Sequence, residues 1–192
     1  IKKVVSPRPG EIMFGLNMVV NKGKTVFIGD TTVNEYPSSK QLAEIATSSA
    51  RVVRLFGFDP KVAFVSHSTF GQPLTSRTKH IRDAVEILKK KNVDFKFDGD
   101  MQPDVALNPE YEELYPFSDI VGKANILIMP GQHSAAISYK LMKTLGDTKV
   151  IGPLLIGIGL PIEIAPLRSS TSEIINLASI AAYSADVIDY KK

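Results

Sequence analysis

Apolar and polar positions change rhythm once along the chain. Early on, the runs LNMVV and TVFIGD flank Asn21-Lys22-Gly23-Lys24, a good tight-turn sequence, so a β-hairpin is predicted. A helix follows. Ser38 is placed to cap it, Gln41 completes a capping box, and Leu42, Ile45, Ala46, Val52 and Val53 recur at helical spacing until Gly57 stops it. Strands and helices then alternate. Strands are predicted at 62–65, 95–97 and 126–129, with another beginning at Val150 and Ile151. Helices are predicted at 76–90, with Ile81, Ala84, Val85 and Leu88 on one face, at 109–114 behind an Asn108 cap, and at 134–145 before Gly146. This order predicts an α/β fold, a parallel sheet with flanking helices. The last segment opens on a second capping box, Ser170 to Glu173, and continues as IINLASIAAYSADVIDY. Its apolar residues lie nearly all round, which predicts burial in a core or an interface.

Composition narrows the functional classes. Hydrophobic residues are 44% and charged residues 22% of 192, an ordinary globular balance that argues against disorder. The net charge is +3, and the one basic run, Lys89-Lys90-Lys91, ends a predicted helix. No basic stripe interleaves with aromatics, so no nucleic-acid partner is expected. Cysteine is absent, which removes disulfides, thiolate metal sites and a Cys nucleophile and fits a cytoplasmic protein. The most apolar stretch, 150–167, contains three prolines, three glycines and Glu163, so it reads as buried strands and turns rather than a membrane span. The opening IKKVVSPRPG has no apolar core of a signal peptide, and a first residue Ile fits a piece of something longer.

Three clusters carry candidate chemistry. The strand at 62–65 empties into a loop, 66–78, that holds six hydroxyls. In open α/β sheets ligands sit beyond the carboxyl ends of strands, and the next helix offers free N–H groups to an anion. Ser68, Thr69, Ser76 and Arg77 would add donors; the alternative is a solvated connection with Ser76 as a cap. The loop is neither a Walker loop nor a GxGxxG. The second cluster, Asp98, Asp100, Gln102 and Asp104, suits either Mg²⁺ or turns and caps. The histidines His67, His80 and His133 lack metal-ligand spacing, and the adjacency of His67 to Ser66 and Ser68 argues against a direct Ser-His pair.

Taken in order, SHSTFG, DGDMQPDVALNP, GKANILIMP, ISYKLMKTLG and IGPLLIGIGLP resemble the phosphate acetyl/butyryltransferase family. Upstream, SPRPGEIMFGLNMVV and KTVFIGDTTVNEYPSSKQLAEIATSSA resemble the C-terminal phosphotransacetylase-like domain of bacterial NADP-dependent malic enzymes. The resemblance implies two α/β lobes around a cleft, with the first lobe incomplete here. Residues 1–57 would be part of the first lobe, 58–165 the second, and 166–192 a helix returning to the first. It also implies a Ser-Arg pair before the final helix, where arginine holds phosphate and serine attends the tetrahedral centre. Here Pro166 and Leu167 stand at those positions, Glu173 takes the following acidic position, and Arg168 with Ser169 is one step out of register. Gly131 and Ala136 also depart from the polar residues of relatives.

The expectation is therefore a regulatory, acetyl-CoA-sensing and oligomerisation domain with no catalytic residue of its own. Its acyl-CoA or phosphate site would use Ser66, Ser68, Thr69, Gly71, Arg77, Gln102 and Arg168. By the same resemblance the partners are acetyl-CoA or a related acyl-CoA, a second copy in a homodimer or higher oligomer, and a malic enzyme domain of the same polypeptide. That domain, using NADP and a divalent metal, would convert malate to pyruvate and CO2. The alternatives are an active phosphate acetyl/butyryltransferase using Arg168 and Ser169, and a purely structural dimerisation domain.

Overall fold

The computed structural model describes residues 5–187. Strands β1 (Phe14–Asn21) and β2 (Lys24–Gly29) form the expected hairpin. Lys22 and Gly23 both have positive φ, the backbone that a two-residue turn matching the strand twist demands. Helix α1 (Ser39–Leu55) starts on the Ser38–Gln41 capping box, and the five apolar positions that predicted it are all buried. Then come β3 (Lys61–Val65), α2 (Ser76–Lys91), β4 (Lys96–Met101), α3 (Pro103–Leu107), a 3-10 turn (Pro109–Leu114), β5 (Ile126–Ile128), α4 (Gln132–Leu145), β6 (Thr148–Ile156) and α5 (Thr171–Val187).

The six strands form one sheet in the order β4-β3-β5-β2-β1-β6. The sheet is mixed rather than wholly parallel: β4, β3, β5 and β2 are parallel, while β1 runs antiparallel to both β2 and β6. Strand β6 runs well beyond Ile151, through Gly152 and Pro153, which sequence reasoning takes as breakers. An edge position and a register shift explain it: the ladder to β1 passes from Leu154 to Ile151, leaving Gly152 and Pro153 unpaired, so the proline forfeits no ladder bond. The hydrogen-bonded sheet is continuous across residues 57 and 58. The change of rhythm at that point is a switch from a hairpin to crossover connections, with β2 and β5 paired directly.

Side-chain alternation sends the strands' apolar residues to two cores. Phe14, Leu16, Phe27, Val62, Phe64, Ile126 and Ile128 meet α1 and α2 on one face. Val19, Ile28, Ala63, Val65 and Leu127 meet α3 and α4 on the other. Helix α5 is less covered than its composition predicts. Leu177 is buried and Ile180 packs against the first core, but Ile174, Ile175 and Tyr183 are about half exposed. Ile188, also expected on this apolar girdle, lies outside the described residues. Among the described residues no helix is long and apolar enough to cross a membrane.

Candidate functional site

Parallel strands β2, β3 and β5 are neighbours, so the loops after them emerge together at one edge of the sheet. A cavity of about 590 Å³ lies there, walled by the β2–α1 loop (Glu35, Tyr36, Pro37, Ser38), the end of β3 with the start of α2 (Ser66, His67, Ser76, Arg77, His80, Ile81), and the β5–α4 turn (Pro130, Gly131, His133, Ser134, Ile137). Three helices thus begin at one hollow.

None of these helices has an acidic residue in its first turn. A surface helix commonly gains stability from one, because its N-terminal N–H groups carry partial positive charge. Ser38 and Thr75 cap α1 and α2, but no side chain caps α4 at Gly131. Gln132 N–H donates to the Asn34 carbonyl and Ala135 N–H to that of Gly131, leaving His133 and Ser134 with first-turn N–H groups that have no intrahelical acceptor. Arg77 is exposed and makes no ion pair among the described residues. The only acidic side chain on the cavity wall is Glu35. The arrangement suits an anion.

Buried carboxylates hold the walls in place. Asp30, at the end of β2, accepts N–H bonds from Gly15, Thr32, Val33 and Asn34 and folds the β2–α1 loop over them. That loop then packs hard on α4: a Cβ at Gly131 would lie 2.5 Å from the Glu35 carbonyl, so glycine here is a requirement of close approach. Asp100, fully buried at the end of β4, accepts from the Ser68 hydroxyl and, at 3.0 Å, from Gly71 N–H.

The second tie divides the loop that sequence reasoning treats as one site. Ser66 and Arg77 line the cavity. Ser68 is buried on Asp100, Thr69 Oγ1 accepts Gln102 N–H at 3.3 Å, and Gly71 gives room to the Arg82 guanidinium. These four, Gln102 included, sit together at the β3–β4 side of the loop, outside the residues that wall the cavity. Thr75, not Ser76, is the cap of α2, which frees Ser76 for the cavity.

Arg168 is exposed in the approach to α5, and Pro166 and Leu167 beside it are exposed as well. Glu173, at the acidic position, is occupied otherwise. The hydrogen bond and charge of Lys143 and the bonds from Ser170 hold its carboxyl down to about 2. In the acidic cluster, Asp98 accepts from Gly99 N–H and Asp104 meets Tyr111, and among the described residues no group of three acids or histidines could hold a metal.

Sequence reasoning missed most of the wall: Glu35, Tyr36, Ser38, His80, His133 and Ser134. The rule about carboxyl ends of strands, applied to β2 and β5 as well as β3, points to all three loops.

Against known proteins, the family model for Phosphate acetyl/butaryl transferase matches residues 1–182. The NADP-dependent malic enzyme of Rhizobium meliloti (strain 1021) is 43% identical over 185 residues, covering 96% of this chain and 24% of that protein. The phosphate acetyltransferase of Bacillus subtilis (strain 168) is 34% identical over 169 residues, covering 87% of this chain and 52% of that enzyme. The crystal structure of a phosphotransacetylase from Streptococcus pyogenes superposes with a TM-score of 0.89 at 32% identity, covering 95% of this chain and 57% of that one. The chain thus spans about a quarter of the malic enzyme and a little over half of the phosphotransacetylases.

Proposed function

This chain belongs to the phosphate acetyl/butaryl transferase family, and from that premise we propose that it is the acetyl-CoA-sensing, regulatory domain of an NADP-dependent malic enzyme, its own acyl transfer lost. One observation carries the reading: an anion-suited cavity persists while the positions expected to hold the transferase Ser-Arg pair carry Pro166 and Leu167, both exposed and outside its wall. Proline and leucine supply neither a donor nor a charge to a tetrahedral centre. A domain that binds without turnover still shifts an equilibrium between enzyme states if the ligand prefers one of them. Malate oxidation to pyruvate and CO2, with its NADP and divalent metal, would belong to a malic domain outside this chain, in the cytoplasm.

The test pairs two measurements. Calorimetric titration with acetyl-CoA is expected to show binding, and a coupled assay with acetyl-CoA and phosphate to show no acetyl phosphate. Turnover that Arg168→Ala abolishes would instead establish the active transferase, with Arg168 and Ser169 acting in a shifted register.

The same domain would hold subunits together. Ile174 and Ile175 are 50% and 58% exposed on α5, and Leu167 in the approach to it is fully exposed; soluble monomers rarely keep a large apolar patch open. A two-fold contact is the commonest cover. Light scattering is expected to give a dimer or larger species that Ile175→Glu dissociates. Ile180, which packs on the core, is unsuited to that test because its loss would threaten the fold. A monomer at high concentration would end the proposal.

A further inference from the structure

All three histidines of the chain, His67, His80 and His133, come from separate segments and line the one cavity. Resting on the anion-binding reading above, we infer that this cavity binds its phosphate-bearing ligand together with protons, so that the histidines make the site sensitive to pH near neutrality.

The charges facing the cavity leave that role to the imidazoles. Arg77 supplies one fixed positive charge and Glu35 one negative, so among the described residues the unpaired Arg77 is the single fixed cation of the wall and, the histidines aside, the acidic and basic side chains lining it are equal in number. Farther along α2, Lys79 and Asp83 neutralise each other at 2.9 Å. The first turns of α1, α2 and α4 bring no acid. Histidine is the side chain whose ordinary charge change falls between pH 5 and 8. Protonating the three imidazoles therefore changes the cavity from nearly neutral to strongly positive.

His80 is built to accept that proton without moving the wall. Its Nε2 lies 2.8 Å from the Pro37 carbonyl, which can only accept, so Nε2 carries hydrogen in either state. Its Nδ1 lies 2.9 Å from Ser39 Oγ, and that hydroxyl is also 2.8 Å from the carbonyl of His80. When the Ser39 hydrogen points to the carbonyl, a proton on Nδ1 completes the chain from ring to hydroxyl to carbonyl. The imidazolium then clasps α2 to the start of α1 at the cavity wall, with each of its N–H groups engaged. His67 and His133 are exposed on the facing walls, free to answer a bound anion. By linkage, a ligand that prefers the protonated cavity must draw protons into it, and by the same factor bind more tightly where protons are abundant.

The experiment is calorimetric titration of the protein with acetyl-CoA at pH 6 and pH 8, in buffers of different ionisation enthalpy, so that proton uptake is read directly. The wild type is expected to bind about ten-fold more tightly at pH 6, within the usual range of coupling between two ligands, with net proton uptake. The ligand's own phosphate titrates near pH 6, so the His67→Gln/His133→Gln variant separates the two sources. Both side chains are exposed, the variant should fold, and its pH ratio is expected to fall to about three-fold. A pH ratio unchanged in the variant assigns the protons to the ligand and overturns the inference. Tight wild-type binding that is equal at both pH values, with no proton uptake, overturns it too but leaves the acetyl-CoA reading standing. No binding at either pH overturns both.

Discussion

Arg77→Glu is expected to weaken acetyl-CoA binding by about a hundred-fold or more while leaving thermal stability unchanged or slightly raised. Arg77 is the fixed cation of the cavity wall and makes no ion pair within the described residues. Its charge is therefore available to a ligand phosphate. A charge-assisted hydrogen bond contributes on the order of 1.5–3 kcal/mol, and reversing the charge adds repulsion from the ligand. About 3 kcal/mol corresponds to roughly a hundred-fold in affinity. The fold should tolerate the change because Arg77 is exposed in the first turn of α2, which has no acid of its own. A glutamate there favours the helix dipole by roughly 0.3–1 kcal/mol. Calorimetry and thermal melts on the same preparation separate the two effects. Arg168→Glu is the control: Arg168 lies outside the cavity wall, so its loss should leave affinity unchanged. If Arg168→Glu abolishes binding and Arg77→Glu does not, the ligand sits at the approach to α5 and the cavity is not its site.

What was legible in the sequence follows how local each signal is. Hairpin, capping boxes and the apolar face of α1 are set by contacts within a few residues, and Asn21 to Lys24, Ser38 with Gln41, and Ser170 with Glu173 do what their spacing predicts. The α/β class followed from the alternation of elements. Strand orientation did not, since β1 and β6 pair antiparallel across more than a hundred residues of sequence. No local pattern encodes that partner, and Gly152 and Pro153 disguise the edge strand that forms it. The candidate cavity was legible at one wall only. The loop after β3 advertises itself with hydroxyls, yet Ser68 and Thr69 serve to fix the turn against Asp100 and Gln102. A buried serine bonded to a buried aspartate is indistinguishable in sequence from a ligand-facing one. The opposite walls, at Glu35 to Ser38 and at Gly131 to Ser134, become neighbours only because β5 inserts between β3 and β2. That strand order brings the three histidines together from segments with no metal-like spacing.

Glu163→Gln is expected to stabilise the protein at alkaline pH and to do little at acidic pH. Glu163 follows β6 and is bridged to Leu154, and its surroundings are Val52, Leu55 and Phe56 of α1, Leu154 and Ile156 of β6, and Ile180, Tyr183 and Ser184 of α5. No cation lies among them. Burial pushes its carboxyl up to about 7, against the weaker opposing influence of Leu155 N–H, which donates to Oε2 at 3.2 Å. The sign follows from the protonated form being the one the fold prefers. Between pH 4.5 and about 7 the folded state holds a proton that the unfolded chain has released, so stability falls as pH rises through that window and stays low above it. The full shift corresponds to roughly 3 kcal/mol, and partial exposure and relaxation of α5 reduce what is realised to about 1–3 kcal/mol. Glutamine keeps the shape and the acceptor for Leu155 N–H and carries no charge. Its gain at pH 8.5 should raise the melting temperature by about 3–8 °C for a chain of this size, whereas at pH 5 the two proteins should nearly coincide. Glu173→Gln is the counterpart that makes the result specific. The Glu173 carboxyl is held down to about 2 by Lys143 and Ser170, so its contribution is present above pH 4.5 and is lost only as pH falls below it. It cannot produce a slope between pH 5 and 8. Parallel melting profiles for wild type and Glu163→Gln across that range would mean that α5 opens enough to hydrate the carboxylate. The seat of the final helix, and the apolar face it presents to a second copy, would then be looser than the packing of Leu177 and Ile180 implies.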